Sequence, residues 1–356
     1  MFSTGIILAL VLASTLFALM IIDRERDSLS KRSAHHVTAR QSSHVTPTPR
    51  VGGVAIAVGI LSGALLSGND AMGLLLWTTL PIFLIGLLED LGPDTPPSLR
   101  LGVAAVSAIL AILVLGVKVD RLSVSFLDPV FAVPLIAAAF TVFASVGMTH
   151  AMNLIDGLNG LSSAISIAIM AAFAAVAHRF GHADLVLMNL IIITAFLGFM
   201  AVNFPFGRIF LGDAGAYSVG HLIAWNAILL LIREPQVSAW GILLILLWPV
   251  LDTVFAMARR AFSGQSIAEP DRLHFHHVAM RLTGICAGKT ITKRTTNPIG
   301  SALTWPLAWV PCALGVYFIT DTASAMTCVG IFSCLYGVTL LQLIRRARGL
   351  RNLARG

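Results

Sequence analysis

Eleven long apolar runs, parted by short polar connections, govern what this chain can fold into. They fall at residues 5–22, 52–66, 72–88, 101–117, 130–148, 162–177, 185–202, 214–232, 240–258, 299–320 and 324–344. About 20 apolar residues make a spanning helix, and runs of this kind read as candidate transmembrane segments. At 57% hydrophobic and 12% charged residues, with a mean hydropathy of +0.87, the composition excludes a soluble domain. The expected fold class is therefore all-α, a polytopic integral membrane protein of about eleven transmembrane helices. The runs consume nearly the whole chain, so residues 1–356 read as a single membrane-embedded domain.

The connections alternate in charge, and this sets the expected orientation. Of the 24 Lys and Arg residues, 20 lie in the connections at about 23–51, 89–100, 149–161, 203–213 and 259–298 and in the basic tail 345–356; 4 lie in the others. Basic loops stay in the cytoplasm, which predicts an outside N-terminus and a cytoplasmic C-terminus. The formal net charge of +7 thus belongs to one face. It sets topology, and it also attracts anionic lipid headgroups or phosphate-bearing substrates. The first run has no basic residue before it and is followed by Asp23-Arg24-Glu25-Arg26, the reverse of a cleaved signal peptide, so it is expected to remain as the first span. Cys286, Cys312, Cys328 and Cys334 show no metal or CxxC spacing and read as small packing residues.

Polar residues without an obvious structural duty collect on the face predicted to be cytoplasmic. Glu89 and Asp90 end the third run in GLLEDLGPDTPPSLR; Asn153 and Asp156 lie in AMNLIDGLNGL; Asp213 stands in FGRIFLGDAGAYSVG; His274, His276 and His277 lie in DRLHFHHVAMR. Asp90 and Asp156 read either as helix-end caps or as site residues with perturbed ionisation. Adjacent Glu89 and Asp90 repel one another at a membrane boundary unless a cation or an arginine stabilises both. The histidines read as a solvated loop, as a zinc spacing without a persuasive fourth ligand, or, with Arg272 just before them, as phosphate ligands. PTPRVGG carries Arg50 beside two glycines that let backbone approach an anion; it reads equally as an ordinary loop before the second span. Asp252, in WPVLDTVFAMARR, is either a helix-packing group or a pocket residue.

Taken in order, SSHVTPTPRVGG, LLEDLG, NLIDGLNGLS, NFPFGRIFLGDAGAYSVG and DRLHFHHVAMR resemble the polyprenyl-phosphate N-acetylhexosamine-1-phosphate transferase superfamily, glycosyltransferase family 4, over nearly the whole chain. The HxHH spacing resembles the bacterial branch that uses simple UDP-N-acetylhexosamines to initiate O-antigen and other surface polysaccharides. Three departures stand out. Glu89 replaces the first Asp of the usual pair, Pro93 holds a position often acidic in relatives, and Asn159 replaces a common Asp.

The resemblance implies transfer of N-acetylhexosamine 1-phosphate from a UDP-sugar to undecaprenyl phosphate, with release of UMP. It also implies Mg²⁺, or Mn²⁺ in its place, with Asp213 as the metal ligand. Asp90 is the expected acceptor of the lipid phosphate's proton, with Glu89 as its electrostatic neighbour and Asp156 as a further catalytic residue. Asn153, Asn159 and Asn203 are expected to line the nucleotide pocket, and Arg50, Arg208, Arg272, His274, His276 and His277 to bind phosphates. Undecaprenyl phosphate, the UDP-N-acetylhexosamine and membrane lipids are the implied partners, with a homodimer as in related enzymes and no nucleic acid. The competing class is a cation- or proton-coupled transporter, which needs carboxylates near mid-membrane along a path open to both sides. A scaffold for polysaccharide assembly needs no acidic motifs.

Overall fold

The structure, a computed structural model, describes residues 2–26, 28–29, 48–92, 95–264, 273–286 and 292–353. Among the described residues all regular structure is helical, and each of the eleven apolar runs forms helix. The chain opens with α1 (Thr4–Arg24), α2 (Gly52–Ser67), α3 (Asp70–Leu91) and α4 (Pro97–Leu115). One-turn α5 (Asp128–Phe131) precedes α6 (Pro134–Ile155), α7 (Leu161–Arg179), α8 (Ala183–Asn203) and α9 (Gly212–Arg233). Then come α10 (Ala239–Ile245), α11 (Leu247–Phe262), α12 (Phe275–Cys286), α13 (Lys293–Tyr317) and α14 (Thr322–Leu353). Local chemistry fixes several starts. Asn69 accepts the Met72 N–H at 3.0 Å and caps α3, while Pro97 and Pro134 occupy first-turn positions where a missing N–H costs nothing.

Nine helices among the described residues are long and apolar enough to cross a membrane; α2, at 16 residues, is shorter. The ninth run corrects the expectation of one straight span over 240–258. It is two helices, α10 and α11, meeting at 80°. Pro249 supplies the reason, because a proline there cannot donate to the Ile245 carbonyl and its ring clashes with that oxygen. The Cys312 thiol donates to Ile245 O instead, at 3.2 Å.

Burial shows which helix is central. Of the most apolar stretch of α9, 89% is buried, against 28% for α1, 22% for α4 and 17% for α14. Around α9 stand α2, α3, α6 and α7. Polar bridges tie it in: Asn226 Nδ2 donates to Asn189 Oδ1 at 2.7 Å and Trp225 Nε1 to Ser145 Oγ at 3.1 Å. Such bonds between membrane helices contribute about 0.6 kcal/mol each. At the first turn of α9 the packing tightens to backbone against backbone. A Cβ on Gly53 would lie 2.3 Å from Gly215 N, and one on Gly86 2.6 Å from Ala214 N. This is also where α2 and α9 begin and α3 ends, with α6 ending alongside.

Candidate functional site

Backbone pairing across 160 residues of chain builds the centre of this end. Phe210 N–H donates to Pro49 O at 2.8 Å, Gly52 N–H to Phe210 O at 2.9 Å and Gly53 N–H to Leu211 O at 2.7 Å. Arg50 is thereby laid beside the entrance of α9, with Nη2 3.0 Å from Asp213 Oδ1 and Nε 3.5 Å from Asp90 Oδ1. Asp90, near the end of α3, accepts the N–H of Asp213 at 2.8 Å and that of Ala214 at 2.9 Å, one on each oxygen. The carboxylate thus caps the positive end of α9. Charge-assisted bonds of this kind contribute about 1.5–3 kcal/mol each. Gly212 makes the junction feasible. Its φ is +78°, and a Cβ would fall 1.9 Å from Arg50 O and 2.5 Å from Asp90 Oδ2.

Asp213 also accepts from Asn153 Nδ2 at 2.7 Å. This contact and that of Arg50 both fall on Oδ1. Burial of Arg50 alone would lower its pKa, but the fields of Asp213 and then Asp90 outweigh that and hold the guanidinium firmly charged. Glu89, next in sequence to Asp90, turns elsewhere. Its Oε1 pairs with Arg100 Nη1 at 2.7 Å and its Oε2 accepts from Thr95 Oγ1 at 2.7 Å, while Arg100 also reaches Tyr217 Oη at 3.3 Å. The sequence reading missed Arg100, Thr95 and Tyr217. The available signal was Arg100, which is the one basic residue in 89–100.

Asp156 follows α6 and accepts from Ser162 Oγ at 2.6 Å. Burial pushes its carboxyl up to about 6, although Ser162 and Arg50 pull the other way. Two asparagines clamp the loop around it. Asn203 accepts the Gly160 N–H at 2.6 Å and donates to Ile209 O at 2.8 Å; Asn159 donates its side chain to Pro205 O and its backbone N–H to Asn297 Oδ1, both at 2.8 Å. These contacts join the 156–160 and 203–209 segments. Asn159 Oδ1 and Asn297 Nδ2 are buried without a partner.

The histidines reach the same loop from α12. A Cβ on Gly157 would lie 2.6 Å from His276 Nε2 and 3.0 Å from His277 Cε1, so a glycine beside Asp156 admits both rings. His276 is fully buried with neither ring nitrogen hydrogen-bonded. Burial, reinforced by His277, lowers its pKa well below the usual imidazole range and keeps it neutral. Its ring stacks on His274 at 5.7 Å, and His274 Nδ1 lies 2.7 Å from Asp252 Oδ2.

Arg50, Asp90, Asn153 and Asp213 therefore form one bonded group. Asp156 lies within its field and is linked through Gly157 to the histidines. Arg208 stands apart, its exposed guanidinium 2.7 Å from Asp23 at the end of α1. Arg272 lies outside the described residues. No group of three or more His, Cys, Asp or Glu side chains is poised to hold a metal among the described residues. Asp213 nevertheless suits a hydrated Mg²⁺, which takes one or two carboxylates and fills its shell with water and phosphate oxygens: its two side-chain contacts share one oxygen.

Comparison with known proteins bears on the same segments. The family model described as glycosyl transferase family 4 matches residues 72–231, from α3 to α9. A protein of Bacillus subtilis (strain 168), named probable undecaprenyl-phosphate N-acetylglucosaminyl 1-phosphate transferase, is 35% identical over 239 residues, 65% of this chain and 65% of that protein. The chain thus spans just under two thirds of that relative's length. The undecaprenyl-phosphate alpha-N-acetylglucosaminyl 1-phosphate transferase of Haemophilus influenzae (strain ATCC 51907 / DSM 11121 / KW20 / Rd) is 33% identical over 330 residues, 88% of each chain. A phospho-N-acetylmuramoyl-pentapeptide-transferase of Staphylococcus saprophyticus is 28% identical over 248 residues, 65% of this chain and 76% of that protein. The family match encloses Asp90, Asn153, Asp156 and Asp213, and similarity to the Haemophilus protein runs through 88% of both chains; this protein belongs to glycosyl transferase family 4.

Proposed function

We propose that the protein transfers an N-acetylhexosamine 1-phosphate from a UDP-sugar to undecaprenyl phosphate at the cytoplasmic face of the inner membrane, starting a surface polysaccharide such as O-antigen. One observation carries this reading. At the helix end where α9 begins, Asp213 is held by Arg50 and Asn153, its N–H is capped by Asp90, and Asp156 feels its field from beside the Gly157 that meets the histidine cluster. The lopsided distribution of 20 of 24 basic residues supports the cytoplasmic placement. Carboxylates gathered at one helix end, rather than strung along a path, favour an enzyme over a transporter.

Two anions must meet in this reaction, so neutralising charge is the main obstacle. Asp213, with Asp156 as the nearby second carboxylate, is the residue to hold Mg²⁺, which when bound offsets the charge of the diphosphate. Arg50 and Asn153 keep the Asp213 carboxylate aimed. An oxygen of the lipid phosphate bonds to the β-phosphorus while the bond from that phosphorus to the UMP oxygen breaks. A phosphate monoester is already largely dianionic at neutral pH, so little proton removal is needed. With both its oxygens on backbone N–H groups, Asp90 suits the part of positioning residue for the α9 entrance rather than that of proton acceptor.

The test is the purified protein with undecaprenyl phosphate, Mg²⁺ and a panel of UDP-N-acetylhexosamines, with UMP and the lipid product read together. UDP-GlcNAc leads the panel because the Bacillus and Haemophilus relatives are named for that sugar. Metal-dependent appearance of both products is expected. Absence of UMP with every donor would refute the reading.

A further inference from the structure

Among the described residues the mechanism leaves one buried carboxylate unused. Asp252 lies on α11, about two turns beyond the break at Leu246, and is 2% exposed. An isolated charge there would be costly. Its partners come from two other elements. Oδ1 accepts the Phe275 N–H at 3.0 Å and the Tyr336 O–H at 2.5 Å, and Oδ2 lies 2.7 Å from His274 Nδ1 and 3.9 Å from His276 Nδ1. Phe275 is the first residue of α12, and Tyr336 comes from α14. Aromatic rings wall the group in: Trp248 is 5.1 Å from Phe275 and 5.4 Å from Tyr336, and Phe255 is 5.2 Å from Tyr336.

We propose that Asp252 is the positioning residue of the histidine cluster, holding a proton on His274 Nδ1 and stabilising the doubly protonated ring whose Nε2–H donates to an anionic phosphate ligand, and that Tyr336 holds Asp252 in turn. An ionised carboxylate only accepts hydrogen bonds. Facing one at 2.7 Å, the ring nitrogen must carry a hydrogen, and a partner on one ring nitrogen decides which state the other presents. The first N–H of α12 ends on the same carboxylate, so ring and helix are fixed together. His276, stacked on His274, passes that placement to Gly157 and the Asp156 loop. The bend at Pro249 and the C-terminal helix thereby acquire a purpose in the site, although neither lies in the 72–231 family match.

The kinetic consequence rests on the transferase reading; the ring state does not. Long-range ¹H–¹⁵N spectra of the full-length protein, with His274 assigned by its loss in His274→Asn, are expected to show both ring nitrogens protonated in the wild type. In Asp252→Asn the neutral Nε2–H form should dominate. A neutral ring in the wild type would overturn the proposal, and this result needs no variant at position 252 to fold. Titration with UDP-GlcNAc gives the second readout. Asp252→Asn should weaken binding by about 10-fold, the lower end of the 10- to 100-fold typical when the group orienting a metal-bound imidazole is removed, yet add nothing in a His274→Asn background. Equal losses in both backgrounds would reduce Asp252 to a packing group and overturn the proposal. A correct ring signature in a protein that releases no UMP would instead refute the transferase reading alone.

Discussion

Asp213 stands between a glycine that no other residue can replace and an alanine that donates to Asp90. Its chemistry follows from what surrounds it. Asp213→Asn keeps an acceptor for Arg50 and Asn153 but removes the charge, so we expect about a 10²-fold or greater fall in kcat for UMP release with the protein still folded in the membrane. Near-normal turnover would take Asp213 out of the site. Asp156 offers a pH test. Because burial raises its pKa to about 6, the folded protein holds this proton more tightly than the unfolded chain does. The resulting stabilisation is complete below about pH 4 and is lost as the pH climbs through 6. Asp156→Asn has no charge to bury. In EDTA it should melt above wild type near pH 8, by about 1–2 °C for each kcal/mol of penalty removed in a chain of this size, and level with it near pH 4. A gap independent of pH would show that ionisation of Asp156 is not penalised in the fold.

At the level of elements, the entrance of α9 is where α2, α3 and α9 share one backbone contact zone. Gly212→Ala would push a methyl group against Arg50 O and the Asp90 carboxylate at a left-handed φ. We expect it to disable turnover about as fully as Asp213→Asn and to lower the melting temperature as well, since the two cap bonds must lengthen. Circular dichroism melts alongside UMP release would check this, and wild-type values for both would dissolve the argument. The bend between α10 and α11 is the other decisive element. Proline chemistry at position 249 was visible in the sequence, but a run apolar over most of its length masked it. A run of adequate length says nothing about whether its axis is straight, which is why 240–258 read as one span.

For the whole molecule, orientation decides whether the site meets a cytoplasmic nucleotide. In a cysteine-free background, a membrane-impermeant maleimide applied to intact cells with a permeable outer layer should label Asp120→Cys, which lies in the connection before α5. Arg208→Cys should react only after the inner membrane is opened, because Arg208 lies at the other end of the bundle with Asp23. The reverse pattern would invert the protein and place the Asp213 group outside. Both side chains are more than half exposed, at 56% and 53%, so failure to label either would reflect sidedness rather than burial.

Apolar runs and charge bias alone fixed the helical class, the approximate positions of the spans and the expected sidedness, because burial in lipid demands a long apolar segment whatever the segment packs against. The same string of residues pointed to Asp213, Asp156 and the histidines through rarity, a polar group at a membrane boundary being costly to keep. What it could not supply was partnership. That Arg50 answers Asp213 across 163 positions, that Asp90 caps a helix instead of standing free, that Glu89 turns to Arg100, and that Asp252 governs His274 are outcomes of helix packing. Hydrogen bonds have a reach of about 3 Å, and only the tertiary structure decides which distant residues come within it.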